Sequence, residues 1–466
     1  MDGKYIVVVK YGGSAFKTPG DFHSVAYHQR MLYDSGNHPV SVNSARNGVS
    51  DRLMEVWIRK LPFKDYAGQE EAFYSEVFLG RSDRDIFMRE LISDFRIMEG
   101  VLGAVADKET DSHRESFVLS HGETEAGVAL QYLLGDFQPG ISFLDGFEAG
   151  VVATRMRGSV NIARSIENIG KKKGGKYCYG GFVGRDPNDG KHYCLLDRNS
   201  TDVTAALVAA ALGADEYVNI KDVDGVYVCD PRLLENWEKP RVIPGLSYDE
   251  AMNITRSGSP VIHPAGIIIS KGHGIKMRIK SLENGGEGTI ISEASGTTSE
   301  KPYAAMSSGV YTCLTVMDPA MDIPGSGRGY AADIMGIIAE AGYDILIPTG
   351  PGNAMSVVVA GGNEVSKDRK VDVNEACAAL KSGLEEKGRS GEVHGRELGY
   401  ISVTGAAIRN MPGTFMEVLK VMADEGISIS LPAGADEYFV NTPVLSFCVN
   451  PEDYRKAVNA LRKNLF

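Results

Sequence analysis

Over about the first 290 residues, short β-rich apolar runs alternate with stretches whose apolar positions recur at helical spacing. That alternation implies an α/β domain with a mainly parallel sheet. Ile6-Val7-Val8-Val9 forms a first strand that delivers Lys10 into the turn Tyr11-Gly12-Gly13-Ser14. Thr18-Pro19-Gly20-Asp21 then offers a cap residue, a proline at the first helical position and an acid three residues after the cap. A helix starts near Pro19. Its apolar side (Phe22, Val25, Ala26, Leu32, Tyr33) can pack on the sheet, and Gly36 is placed to stop it. Pro39-Val40-Ser41-Val42 is a second strand, and Ser50-Asp51-Arg52 opens a helix through Leu53, Met54 and Trp57. Residues 60–115 are richer in charge and helical in pattern. Phe117-Val118-Leu119 reads as a strand leading into Ser120-His121-Gly122-Glu123; Tyr217-Val218-Asn219-Ile220 is another, and Lys276 to Lys280 the last of this domain. Glu293 to Lys301 is small and polar, as a linker is.

The remainder holds an internal repeat. Strand Val310–Met317, helix Tyr330–Ala341, strands Tyr343–Ile347 and Met355–Ala360 and helix Val373–Lys387 are followed by the same order again. The second copy runs Ile401–Thr404, Thr414–Glu425, Ile427–Leu431, Val444–Val449 and Pro451–Leu465. These are tandem βαββα units of ferredoxin-like type, which pair edge to edge and form ligand pockets. Oligomerisation alone is an equally open role for them.

The 466 residues are enough for about three domains. A formal charge of -12, with Lys171-Lys172-Lys173 as the longest basic run, argues against nonspecific nucleic-acid binding. The six cysteines lack paired short spacings, which fits neither a zinc site nor a dense disulfide framework and suits a reducing cytoplasm. No stretch approaches the roughly 18 apolar residues of a membrane span, and the first residues lack the pattern of a signal peptide. A cytoplasmic protein without membrane association is expected.

Three segments carry candidate chemistry. A strand feeding Gly12-Gly13 lets backbone N–H groups approach a phosphate, with Lys10 to meet its charge, although a plain turn has the same pattern. Asp197-Arg198-Asn199-Ser200-Thr201-Asp202 precedes an Ala-rich helix, Val203 to Leu212, which Thr201 or Asp202 can cap and Gly213 ends. A cap does not need Arg198, which can hold a carboxylate by bidentate hydrogen bonds while Asp202 orients a lysine or an amine. In Lys221-Asp222-Val223-Asp224-Gly225-Val226-Tyr227 and Asp230-Pro231-Arg232, the lysine and arginine can meet phosphates and Tyr227 can cover a base or ribose. A tight turn with an Asp-Pro stop explains the same residues.

Taken in order, these segments resemble the aspartate kinases of the amino-acid kinase superfamily over essentially the whole chain. Lys10-Tyr11-Gly12-Gly13-Ser14 resembles that family's Lys-Phe-Gly-Gly-Thr-Ser, and Ser44 to Asp51 its Ser-Ala-x-x-Gly-x-Thr-Asn. Ser120-His121-Gly122-Glu123 matches its Ser-His-Gly-Glu, and Gly181 to Gly184, Arg198 to Asp202, Lys221 to Arg232 and Val261-Ile262-His263-Pro264 follow in the expected order. The repeats resemble the paired ACT domains of these enzymes, which other superfamily branches lack. The resemblance implies a three-layer amino-acid-kinase-like domain with a mainly parallel sheet over residues 1–295. Two ferredoxin-like (βαββαβ) ACT domains follow, 301–396 and 397–466, the second completed by a strand from near 303–312.

The implied reaction is transfer of the ATP γ-phosphoryl group to the β-carboxylate of L-aspartate, with Mg²⁺ bridging the phosphates and no dedicated metal cage. By the same resemblance Lys10 and Asp202 are catalytic, and Ser44, Ser50, Glu123 and Arg198 bind substrate. Gly12, Gly13, Ser14, Lys221, Asp222, Tyr227 and Arg232 line the nucleotide, while Gly329, Tyr330 and Thr349 mark an amino-acid effector site. A homodimer or higher homo-oligomer is implied.

Four departures stand out. Asp197, Asn199 and Ser200 occupy positions that are glycine in the family, and Pro260 replaces a lysine common before Val-Leu-His-Pro. His263 reads as a structural histidine. A diverged kinase acting on another carboxylate, or a weakly active ACT sensor that binds an amino acid, is therefore an alternative to aspartate phosphorylation. Retention of the scattered substrate shell favours the kinase.

Overall fold

The computed structural model describes residues 5–104, 108–156, 158–197, 199–234, 241–256, 263–294, 296, 303–322, 329–350, 353–361, 371–405, 408, 411–433 and 444–466. The chain divides into two compact units, the first made of residues 1–226 and 261–295, the second of 227–260 and 296–466.

The first unit begins β1 (Ile6–Tyr11), α1 (Pro19–Asp34), β2 (His38–Asn43), α2 (Val49–Trp57), α3 (Phe63–Val77), α4 (Arg84–Gly103) and α5 (Lys108–Gly135). It continues with β3 (Ser142–Leu144), α6 (Gly146–Ala149), α7 (Ile162–Gly170), β4 (Tyr177–Gly180), β5 (Val183–Arg185), β6 (Tyr193–Leu195), α8 (Ser200–Leu212) and β7 (Glu216–Lys221). After β8 (Gly245–Leu246) and α9 (Tyr248–Arg256), which belong to the second unit, the chain returns as α10 (Pro264–Gly272), β9 (Lys276–Ser281) and β10 (Thr289–Ile291). Within this unit the sheet order is β3-β4-β2-β1-β7-β9-β10, parallel throughout except for β10 against β9.

Alternation along β1 divides the layers. Val7, Val9 and Tyr11 join Phe22 and Val25 of α1 in one apolar core, while Lys10 faces α8 through Asp202. α1 opens at Pro19 as its capping sequence requires, with Asp21 Oδ2 accepting from the Thr18 N–H at 2.7 Å.

Three expectations need correction. Phe117-Val118-Leu119 is not a strand: it lies inside the 28-residue helix α5, so Ser120 to Glu123 is helical too. A short buried apolar run with one β-branched residue does not separate strand from buried helix by period. Helix α8 starts at Ser200, not Val203, and Asn199 rather than Thr201 or Asp202 is its cap residue. The 276–281 strand is not the last of its unit, because β10 follows it, three residues being too short for periodicity to reveal.

The second unit contains β11 (Ala305–Met317), α11 (Tyr330–Glu340), β12 (Tyr343–Thr349), β13 (Ala354–Gly361), α12 (Val373–Glu386) and β14 (Glu392–Thr404). It closes with α13 (Thr414–Asp424), β15 (Ile429–Ala433), β16 (Val444–Val449) and α14 (Pro451–Leu465). One antiparallel sheet, β12-β13-β11-β14-β16-β15, serves both repeats. β11 and β14 pair over their full lengths; residues 312–317 of β11 also pair with β13, and 399–404 of β14 with β16. The first repeat thus ends on the start of β14, and residues 305–309 of β11 supply the last strand of the second.

Between α2, α3 and α5 the first unit buries charge. Glu70 has no exposed surface and accepts from Arg46 at 2.6 and 2.9 Å and from Arg52. Glu125, also buried and beside Glu70, is held by the Tyr66 hydroxyl at 2.8 Å, and burial raises its carboxyl well above the usual range. Removing Glu70 takes the acceptor from Arg46 and one of two acceptors from Arg52, which also donates to Gln69 Oε1. Glu70→Ala is expected to cost the first unit about 3–5 kcal/mol, read as an earlier urea transition; a loss under about 1 kcal/mol would mean the cluster is solvated rather than structural.

Candidate active site

Lys10 sits at the end of β1, in register with Asn219 of β7, and both side chains point to the α8 side. Asp202 lies in the first turn of α8, where the helix N-terminus favours negative charge. Lys10 Nζ is 2.8 Å from Asp202 Oδ1, and Lys221 Nζ donates to Oδ2 at 3.2 Å. One buried carboxylate therefore carries two ammonium groups, leaving a net positive charge. Burial disfavours the charged carboxylate, but the two lysines overcome this and hold Asp202 far below the usual carboxylate range. Burial lowers the pKa of Lys10, with Asp202 opposing and Lys221 reinforcing that shift.

The Gly12-Gly13 turn wraps past this triad. The Ala15 N–H closes on Gly12 O at 2.9 Å and the Phe16 N–H on Gly13 O at 3.0 Å, forming a single 3-10 turn that also holds Ser14. A Cβ on Gly12 would lie 3.3 Å from Lys10 Nζ, and one on Gly13 would lie 2.9 Å from Ala45 O. Close approach to the Ala45 backbone thus requires Gly13, while a side chain at Gly12 would press on the Lys10 ammonium. The Tyr11 hydroxyl, an addition relative to phenylalanine, is satisfied within the core: it accepts from Gln29 Nε2 at 2.9 Å and donates to His28 Nδ1 at 2.7 Å.

Glu123 comes from α5, and its Oε1 accepts from Thr201 Oγ1 at 3.0 Å. Burial pushes its pKa up to about 8, against the pull of Thr201, the Ala45 and Gly181 backbone and Lys10. Gly181 is pressed on Thr201, since a Cβ there would lie 2.5 Å from Thr201 Cα. Ser44 is tied by its N–H to Tyr11 O at 3.0 Å, and Ser50 stands in the first turn of α2; both are half-buried.

The structure brings together Lys10, Gly12, Asp202 and Lys221, and seats Glu123 on Thr201 next to Asp202 in the chain. Asp222 follows Lys221 and is exposed. Tyr227 and Arg232 belong to the second unit, where Arg232 is engaged by Asp230 at 2.8–3.1 Å. Arg198, Pro260, Val261 and Ile262 lie outside the described residues. His263 accepts from the Ala265 N–H at 3.2 Å and caps α10, a structural role.

In the first repeat Gly329 takes a φ of +77° as cap of α11, and the Tyr330 hydroxyl donates to Asp318 at 2.8 Å beneath the Arg389 guanidinium. Thr349 ends β12, its side chain outside the described atoms.

Sequence reasoning passed over Thr201, which positions Glu123, and Asn219, whose buried carboxamide finds no hydrogen-bond partner among the described residues. Asn219 had a signal: a polar residue within an otherwise apolar central strand. Thr201 had none beyond its place before Asp202.

A profile of the amino acid kinase family matches residues 5–281. The chain belongs to the amino acid kinase family. As an amino acid kinase it is similar along its whole length to an aspartokinase of Corynebacterium efficiens, 23% identical over 98% of this chain and 95% of that one. It is 24% identical, over 100% of its length, to 51% of the chloroplastic bifunctional aspartokinase/homoserine dehydrogenase 2 of Arabidopsis thaliana. The fold matches that of E. coli aspartokinase III in complex with aspartate and ADP in its R-state, with TM-score 0.77, 21% identity and 99% and 100% of the two chains covered. The same E. coli enzyme with lysine and aspartate, in its T-state, gives TM-score 0.74 at 21% identity over 99% of both chains. The kinase unit is thus followed by two ACT-like modules.

The three missing glycines have unequal weight. Only Asn199 has a positive φ, +63°, and asparagine is the residue after glycine that best tolerates that region; Ser200 is already helical and Asp197 has a negative φ. Asn199→Gly is therefore expected to leave stability unchanged, whereas Asn199→Val should cost about 1–2 kcal/mol. Equal urea midpoints for the two variants would show that the left-handed cap is not maintained in solution.

Proposed function

We propose that this amino acid kinase is an aspartate kinase, forming 4-phospho-L-aspartate from L-aspartate and ATP, the first step of lysine, threonine and methionine biosynthesis. The observation that carries the reading is the convergence of Lys10 and Lys221 on Asp202 beside the Gly12-Gly13 turn. Its full-length likeness to proteins named aspartokinase supports the choice of substrate.

The nucleophile is a carboxylate already ionised at neutral pH, so the site needs no general base. Positioning and charge neutralisation suffice. Lys10 meets the transferring phosphoryl group, Gly12, Gly13 and Ser14 offer backbone N–H groups, and Asp202 keeps both lysines aimed. Lys221, Asp222, Tyr227 and Arg232 hold the nucleotide. Arg198 takes the substrate α-carboxylate, Glu123 its ammonium, and Ser44 and Ser50 hydrogen-bond it. The positively charged triad and the close-packed glycine turn suit a polyphosphate. Mg²⁺ would arrive with the ATP phosphates and neutralise their charge.

No helix among the described residues is long and apolar enough to cross a membrane. A cytoplasmic homodimer or larger homo-oligomer, with an amino-acid effector near Gly329, Tyr330 and Thr349, completes the reading.

ATP-dependent hydroxamate formation should occur with aspartate and not with glutamate, N-acetylglutamate or buffer alone. Product with another acid only would reassign the substrate, and stabilisation by an amino acid without any product would leave a sensor. Lys10→Ala should lower kcat at least about 100-fold with the fold intact; an unchanged rate removes Lys10 from the reaction.

Glu123 supplies a pH test. Its raised pKa keeps it protonated below about 8, and pairing with an ammonium group requires that proton to leave. The reciprocal KM for aspartate should therefore rise about tenfold per pH unit below that value and level off above it. Glu123→Gln should bind aspartate weakly with no such slope; a wild-type KM flat from pH 6 to 9 would remove the carboxyl from amine binding.

A further inference from the structure

The segment read as the nucleotide-side loop is built into the second unit, not the first. The division falls between Val226 and Tyr227, in the middle of Lys221 to Arg232. On the far side of that division the last helix of the chain holds the loop by its backbone. Arg455 of α14 donates from Nε to Leu233 O at 3.0 Å and from Nη2 to Leu234 O at 3.2 Å and Arg232 O at 3.4 Å. One turn on, Asn459 Nδ2 donates to the same Leu233 O at 2.9 Å and to its own helix at Arg455 O. Three successive carbonyls are thus collected by two side chains spaced i, i+4 on one helix face.

The loop needs such partners. Its 3-10 turn, Pro231–Leu233, is too short to satisfy its own carbonyls, and Asp230 organises only its entry, accepting from the Arg232 N–H at 2.9 Å and from the Arg232 guanidinium. The opposite end is pinned by β11, whose Met306 N–H donates to Val228 O at 2.7 Å. Both holders, α14 and residues 305–309 of β11, are parts of the second ACT-like module. A guanidinium spanning consecutive carbonyls is a geometric clamp: a point charge such as lysine cannot reproduce it.

We propose that Arg455 and Asn459 are positioning residues that set nucleotide affinity by fixing the Tyr227–Leu234 loop. The proposal rests on the nucleotide role given above to Tyr227 and Arg232. Neither Arg455 nor Asn459 is assigned contact with the nucleotide itself.

The test is MgATP binding to the full chain by titration calorimetry. Arg455→Leu with Asn459→Leu should raise the Kd at least about fivefold, leave aspartate binding within twofold, and keep the circular dichroism and the melting temperature of the second unit. A cycle with Arg232→Ala separates loop positioning from general damage: in that background the Arg455 substitution should lose most of its effect on Kd. An unchanged Kd in the double variant, or additive effects in the cycle, overturns the proposal, as does a wild-type chain that binds no MgATP. A wild type that binds MgATP but forms no aspartyl hydroxamate would instead overturn the aspartate kinase reading, and the Kd comparison would still decide this one.

Discussion

Two ammonium groups on one buried carboxylate is the constraint around which the first unit is arranged. Asp202 is 1% exposed, and a charge there is tolerable only because Lys10 and Lys221 approach it from adjacent strands. The triad in turn requires β1 and β7 to lie in their observed register, with Lys10 beside Asn219 and Lys221 two residues further along the same face. It also requires α8 to present its first turn, not its middle, to the strand ends. A slip of one residue in either strand would turn a lysine to the α1 side, where the neighbours are Phe22, Val25 and other apolar groups. Electrostatics therefore helps to specify the sheet that the apolar pattern alone leaves open.

The same helix start also positions Glu123. Thr201 precedes Asp202 and reaches Glu123 of α5, while Gly181 packs against the Thr201 backbone. The two carboxyl groups are driven in opposite directions by what surrounds them. Asp202 has two cations and is held ionised; Glu123 has a hydroxyl and backbone amides, and burial keeps it protonated in the free chain up to about pH 8. A neutral acid avoids an unpaired buried charge.

Much of this was legible in the sequence because chemistry had restricted the choice of residues. The apolar run before Gly12-Gly13, and the Ala-rich run that Gly213 ends, place β1, its turn and α8 within a few residues. The order of elements in the two repeats was legible for a different reason, the recurrence of one pattern over two copies. What stayed hidden depends on contacts across many residues. Glu70, Arg46 and Arg52 look like ordinary surface charges until α2 and α3 bring them together. Phe117 to Leu119 carries no local cue that it continues a 28-residue helix. The significance of Asn199 emerged only with its backbone angle: three departures from glycine looked equivalent as letters, and one of them alone occupies the conformation glycine serves.

The shared strands give the second unit a continuity that two independent modules would lack. β11 and β14 each belong to both repeats, joined along thirteen residue pairs with no loop between the halves. β11 runs unbroken from residues 312–317, which pair with β13, to residues 305–309. Those residues, with α14, are what grip the backbone of the Val228–Leu234 loop. The strand that pairs with β13 and the strand that closes the second repeat are one continuous element, so each repeat completes its sheet with residues of the other.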